Sequence, residues 1–142
     1  MLLYFKEVVV TLIRGNHIYM MSTQKAAKWF GWVILVVGIA GFIPGIVTTS
    51  GLELGIFQVD PIHNLIHILS GLIALFCAVS LKGAKTYFKI FGIVYGLVTI
   101  LGFVMMNGIV LGMMMNMADN LLHVVITLYA LYFGFRSEAP MM

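Results

Sequence analysis

The sequence predicts an all-α integral membrane protein, a four-helix bundle built from a tandem repeat of two transmembrane hairpins. Three observations predict it: a composition too apolar for a water-facing surface, four uncharged runs of spanning length, and a polar motif that occurs twice. Of the 142 residues, 62% are hydrophobic and 9% charged, whereas an ordinary soluble domain carries roughly a quarter charged residues. So few charges cannot coat an exterior in water, and lipid must cover much of it. The net charge of +3 does not point to nucleic acid, because the basic residues flank apolar runs instead of clustering with aromatics on one face. Cys77, the single cysteine, lies inside an apolar run and reads as a buried, inert thiol.

Residues 1–24 come first. Their apolar run at 8–13 is bounded by Lys6, Glu7 and Arg14 and is too short to span. The segment reads as a leader upstream of a start at Met20 or Met21, or as an interfacial stretch. The membrane domain then covers 25–136. Its spans fall at about 29–47, 62–81, 90–109 and 118–135, each close to the length that crosses a hydrocarbon core. Pro44 should kink the first span near its end. Residues 137–142 form a short tail, and the loops leave no room for a soluble domain.

Orientation follows from the basic residues, which are retained in the cytoplasm when they flank spans. Lys6, Arg14, Lys25 and Lys28 precede the first span, Lys82, Lys85 and Lys89 separate the second from the third, and Arg136 follows the fourth. Glu53, Asp60 and Asp119 lie on the other side. Both termini are therefore expected in the cytoplasm.

The segment Asp60-Pro-Ile-His63-Asn64-Leu-Ile-His67 aligns with Asn116-Met-Ala-Asp119-Asn120-Leu-Leu-His123, polar on polar and apolar on apolar. Each copy places its polar residues at i, i+3, i+4 and i+7, on one helical face. Asp60, followed by Pro61, and Asn116 read as N-caps. His67 and His123 lie about 10 Å further along their helices, at a depth where polar side chains turn toward the bundle interior. On one reading Asn64, Asn120, His67 and His123 make interhelical hydrogen bonds that fix register, each contributing about 1 kcal/mol. On the other, His63, His67, Asp119 and His123 converge on a metal ion, because i, i+4 pairs on adjacent helices can share one centre. Such a set suits zinc or copper. A b-type haem between the second and fourth spans is a further alternative.

Met113, Met114, Met115 and Met117 sit beside this stripe, and thioethers can ligate Cu(I). Methionine is also a flexible lipophilic filler, and these four are read as packing or interface residues. Gly41 and Gly45, Gly92 and Gly96, and Gly108 and Gly112 are spaced four apart, the pattern of small residues that lets helix backbones approach.

With Gly41-Phe-Ile-Pro-Gly45, Gly55-Ile-Phe-Gln-Val-Asp-Pro-Ile-His63-Asn-Leu-Ile-His67, Gly92-Ile-Val-Tyr95-Gly96 and Asn116-Met-Ala-Asp119-Asn120-Leu-Leu-His123 in this order, the chain resembles bacterial domain-of-unknown-function family 4383. The resemblance covers about residues 25–135. It implies a small four-helix protein of the bacterial cytoplasmic membrane and brings no activity, cofactor or substrate. The methionine run at 113–117 departs from the family pattern, while the histidine and asparagine positions belong to it.

No nucleophile with a base, no paired carboxylates at catalytic spacing and no phosphate-cradling loop are present, so the sequence predicts a noncatalytic protein. The leading expectation is a membrane component whose polar stripe organises the bundle, with the lipid bilayer as its medium and a homo-oligomer or larger membrane complex as its setting. Metal or haem binding is the alternative. A small transporter or channel subunit is the third, since intramembrane polar residues often mark ion pathways.

Overall fold

A computed structural model of the chain describes residues 21–105 and 108–138. The segment 1–20, read above as a leader or interfacial stretch, lies outside them, as do residues 139–142 of the tail. The described residues are mostly helical. In chain order they form α1 (Thr23–Ala40), β1 (Leu52–Glu53), β2 (Phe57–Gln58), α2 (Pro61–Cys77), α3 (Leu81–Val104), β3 (Ile109–Val110), β4 (Met113–Met114) and α4 (Met117–Phe135). Two of the helices, α3 and α4, are long and apolar enough to cross a membrane.

Each helix starts on a polar cap. Ser22 and Ser80 accept from the backbone N–H of Lys25 and Gly83 at the starts of α1 and α3. Asp60 Oδ1 accepts from Ile62 and His63 at the start of α2, with Pro61 in the first turn. At α4 the Asn116 side chain accepts from the Asp119 N–H, and Asp119 Oδ2 accepts in return from the Asn116 N–H at 2.7 Å. This reciprocal box satisfies two donors that a bare helix end would leave open, a contribution of about 1 kcal/mol.

The helix ends differ from the expected spans. α1 stops at Ala40, with Gly41 as its C-cap, and so falls short of residue 47. Pro44 therefore lies in the following loop and kinks no helix. The chain turns there instead, with Gly45 at φ 94°, a conformation that disfavours any side chain. At the other boundary α3 begins at Leu81, so Lys82, Lys85 and Lys89 ride on its first turns and do not form a loop. It ends at Val104, and residues 108–114 enter a hairpin.

Two antiparallel hairpins fill the loops that precede α2 and α4. β1 pairs with β2 and β3 with β4. Both turn through a Leu-Gly pair of positive φ, Leu54 (52°) and Gly55 (74°) in one, Leu111 (51°) and Gly112 (84°) in the other. Each hairpin is held by the start of the helix that follows the other one. The Gln58 N–H donates to Asp119 Oδ2 at 3.0 Å, the Met114 N–H donates to Asp60 Oδ2 at 2.6 Å, and Asn116 Nδ2 donates to Ile56 O at 2.8 Å.

α1 packs chiefly on α2, and α3 on α4. Glycine makes these approaches possible. A Cβ on Gly71 would lie 2.7 Å from Gly31 O, and one on Gly92 2.8 Å from Leu131 Cδ2. Gly96 is roomier, its nearest neighbour being Thr127 Cγ2 at 3.4 Å. Gly45 has nothing near it and Gly108 (φ 70°) and Gly112 serve turns, so those three are not the helix-packing residues their spacing suggested. At the end of the molecule away from the hairpins, an aromatic core of Phe30, Tyr87, Phe88, Phe91, Tyr129 and Phe133 knits the two helix pairs together. Phe30 touches Phe91 edge-on at 5.0 Å and stacks on Tyr129 at 5.7 Å.

Candidate metal centre

The first turns of α2 and the second turn of α4 bring three imidazoles into one cluster. His63 and His67 lie one turn apart on α2, with ring centroids 4.6 Å apart, and His123 of α4 stands 5.9 Å from the first and 6.4 Å from the second. One ligand nitrogen from each ring can be chosen so that all three lie within 4.8 Å of one another. The rings are 2%, 7% and 3% exposed. Below them the Tyr95 ring meets His123 edge-on at 5.5 Å and stacks on Phe91 at 3.9 Å, which closes the cluster toward the aromatic core.

The histidines and the asparagines of the stripe part company here. Asn64 Nδ2 donates to Gly41 O at 2.8 Å and Asn120 Nδ2 donates to Gly102 O at 2.9 Å, each reaching the end of the neighbouring helix. Both nitrogens of His63, both of His67 and Nδ1 of His123 are buried with no hydrogen-bond partner in the protein. A buried polar atom left unpaired costs about 1–3 kcal/mol, more than an interhelical hydrogen bond in a membrane returns, about 1 kcal/mol. Register-fixing hydrogen bonds therefore account for the amide nitrogens of the two asparagines, whose Oδ1 atoms are also buried without a partner, and for none of these imidazole nitrogens.

Asp119 takes a different place from the one its sequence position suggested. It is buried beside His63 but outside the convergent group. Its Oδ2 is committed to the N–H groups of Asn116 and Gln58, because α4 needs a capping box and β2 needs an anchor. It still lines the same cavity as the three histidines. That cavity, of about 80 Å³, also includes Glu53 of β1. A second cavity, of about 140 Å³, lies on the other side of the cluster and is walled by Tyr95, Val98, Leu111 and Met113.

Glu53 escaped the sequence reading as a site residue. It follows a leucine and precedes another, a pattern that suits a loop, and only the hairpin reveals that the carboxylate turns inward (4% exposed) while Leu54 turns out (69%). Burial, and after it the nearby Asp119 carboxylate, raise the Glu53 pKa above the usual glutamate range. The methionines divide: Met113 and Met115 pack with Val98 and Val110, while Met114 and Met117 are exposed. Cys77 is half-buried rather than fully enclosed.

The family described as domain of unknown function (DUF4383) matches residues 24–136, which take in the described helices from the second residue of α1 onward, both described hairpins and the three clustered histidines. The chain belongs to this family. No curated protein and no solved structure matches it. For this DUF4383 chain, then, the chemistry of the site has to be read from its own residues.

Proposed function

We propose that this is an integral membrane protein whose duplicated four-helix bundle holds a transition-metal ion at His63, His67 and His123. The observation that carries the reading is the set of buried ring nitrogens without partners, all belonging to imidazoles that face one another. A metal ion satisfies one acceptor on each ring at once. Tetrahedral zinc with Zn–N bonds of about 2.0–2.1 Å places its ligand atoms about 3.4 Å apart, so small ring rotations close the cluster onto an ion. Three histidines leave a fourth position for water or another ligand. The flanking cavities suit such an ion with its water, whereas pockets for larger organic ligands run to roughly 300–1,000 Å³. That size favours an ion over a haem.

A membrane setting is supported by the distribution of polarity. Large apolar side chains face outward on all four helices, among them Val36, Phe76, Val104 and Leu128, each more than half exposed, a surface that monomers in water rarely present. Charge is segregated to the two ends. Lys25, Lys28, Lys82, Lys85 and Arg136 gather where α1 and α3 begin and α4 ends, and Glu53, Asp60 and Asp119 gather at the hairpins. The retention of basic flanks supports a cytoplasmic position for the start of α1 and the end of α4 and an outer one for the hairpins.

Duplication is supported by parallel detail: two Leu-Gly turns, two Asn-to-Gly carbonyl bonds and two carboxylates that anchor the opposite hairpin. The two units enter the membrane in the same direction, a parallel repeat. The asparagines set the distance between paired helices, and the histidines, freed from that task, face the seam between the units.

The test is metal analysis of protein extracted from membranes in detergent and reconstituted with Zn(II). The expected result is one ion per chain, lost in the double variant His67→Ala, His123→Ala. Wild-type protein that retains no more metal than that variant would overturn the reading.

A further inference from the structure

The two cavities beside the histidine cluster are walled by equivalent hairpins, yet their chemistry differs. Glu53 and Val110 hold the same place: each precedes a turn leucine of positive φ, and each is buried, at 4% and 0% exposed. Glu53 lines the first cavity with Asp119. Val110 belongs to the apolar cluster with Val98, Met113 and Met115 beside the second. A Leu-Gly pair of positive φ also follows a valine in the second hairpin, whose loop is one residue shorter (Val110 pairs with Met113, Glu53 with Phe57), so such a turn does not itself require a carboxylate before it. Burying one is costly unless it meets a cation or hydrogen-bond donors. The titratable neighbours of Glu53 in the cavity are Asp119, which repels it, and the three imidazoles, in which both nitrogens of His63 and His67 and Nδ1 of His123 are unpartnered. Like Asp119, Glu53 lines the cavity beside the three convergent nitrogens and is not itself one of that group.

We propose that Glu53 supplies the anionic oxygen ligand of a divalent cation held by His63, His67 and His123, with the Asp119 carboxylate as additional negative charge, so that the site takes a zinc-class ion in preference to Cu(I). The proposal rests on the histidine site argued above and adds its ion class. Histidine nitrogen and carboxylate oxygen are a donor set for zinc, whereas Cu(I) is selected by soft thioether or thiolate sulfur. The thioether beside the histidines, Met113, lines the other cavity and not the one that Glu53 and Asp119 share. Two carboxylates also attract a doubly charged ion twice as strongly as a singly charged one at equal distance. The cavity that Glu53 lines lies at the hairpin end, opposite the lysines.

The experiment is competition for Zn(II) against a chromophoric chelator, and for Cu(I) under reducing conditions against a Cu(I)-binding dye, on full-length protein in detergent. Wild type is compared with Glu53→Gln and Glu53→Val, the latter installing the residue that the equivalent hairpin already carries. The expected result is a loss of Zn(II) affinity on the order of 10- to 100-fold in both variants, with Cu(I) affinity unchanged. Zn(II) binding that is tight in wild type and equally tight in both variants overturns the role of Glu53 while leaving the histidine site standing. Parallel losses for both ions overturn the preference. Apo variants that both fail to fold make Glu53 a structural residue and overturn the proposal. Wild type that binds neither ion defeats the histidine site itself.

Discussion

Asn64 and Asn120 make one bond in two places: each side-chain amide donates to the carbonyl of a glycine at the end of the neighbouring helix, Gly41 at 2.8 Å and Gly102 at 2.9 Å. A carbonyl near a helix end has no partner of its own in the ladder. The asparagine supplies it, and in doing so it fixes how far α2 slides along α1 and α4 along α3. A Cβ at either glycine would collide with the asparagine amide, so the pairs work only as Asn with Gly.

Replacing Asn64 or Asn120 with alanine is expected to destabilise the protein by about 1–3 kcal/mol each, the cost of stranding a buried acceptor. Asn64→Asp keeps the shape, loses the amide donor and should cost a similar amount. Denaturant unfolding in micelles checks both, and a neutral Asn64→Ala would show that the bond sets no register.

Glycine substitutions should separate packing from spacing. In Gly71→Ala the new methyl meets backbone, Gly31 O and Leu35 N, both at 2.7 Å, and backbone cannot step aside. A loss of about 1–3 kcal/mol is expected, as for other overpacked positions. In Gly96→Ala the methyl finds Thr127 Cγ2 at 3.4 Å and gains helix propensity of up to about 1 kcal/mol. Equal melting shifts for the two variants would contradict the packing geometry.

Much of this architecture was legible in the sequence. The polar stripe, the caps at Asp60 and Asn116 and the apolar runs follow from residue type and period alone. The hairpins were not legible, because Leu54-Gly55 and Leu111-Gly112 put leucine where asparagine or aspartate usually marks such a turn. Hydropathy also cannot see where α1 ends, since the chain stays apolar past Ala40 and the stop is made by Gly41, Pro44 and Gly45. Within the stripe, sequence treated Asn and His alike. Only partners distinguish them: carbonyls wait for Asn64 and Asn120, none waits for the imidazoles, and the cap claims Asp119.

Two glutamates should give stability opposite pH dependences. Burial, opposed and outweighed by hydrogen bonds from the Thr23 hydroxyl and from Arg136, leaves the Glu138 pKa lowered. A lowered carboxylate contributes stability above its unfolded pKa and loses it as pH falls through the folded value. Glu53 is raised by burial and by Asp119, so its contribution is present below the unfolded glutamate pKa and is lost as pH rises through the folded value. In apo protein, Glu138→Gln should flatten the acid limb of a melting-temperature profile below the ordinary glutamate pKa. Glu53→Gln should raise the melting temperature above that pKa. A profile whose limbs respond the other way would reverse the assignment.

The turn leucines offer a test of strain. Leu54 and Leu111 sit at φ near 50°, where a β-carbon crowds the following carbonyl at a cost of roughly 1–2 kcal/mol. Both are about 70% exposed, so little packing is lost on replacement. Leu54→Asn and Leu111→Asn are expected to raise stability in micelles by about 1 kcal/mol each, read from unfolding midpoints.

Orientation can be decided by accessibility. Arg136 ties the basic end together: its guanidinium bonds Met21 O and the Glu138 carboxylate, and its carbonyl accepts from Lys85 Nζ at 2.7 Å. The chain ends described there therefore share one face with the lysines of α3, and the hairpins occupy the other. In a Cys77→Ala background, a cysteine at Leu54 should react with a membrane-impermeant maleimide on intact bacterial cells. A cysteine at Lys82, which is also exposed, should react only after permeabilisation, because the positive flank stays inside. Labelling of both from one side would mean that the segregated charges mark no membrane orientation, and the cavity mouth at Glu53 would lose its assigned exterior face.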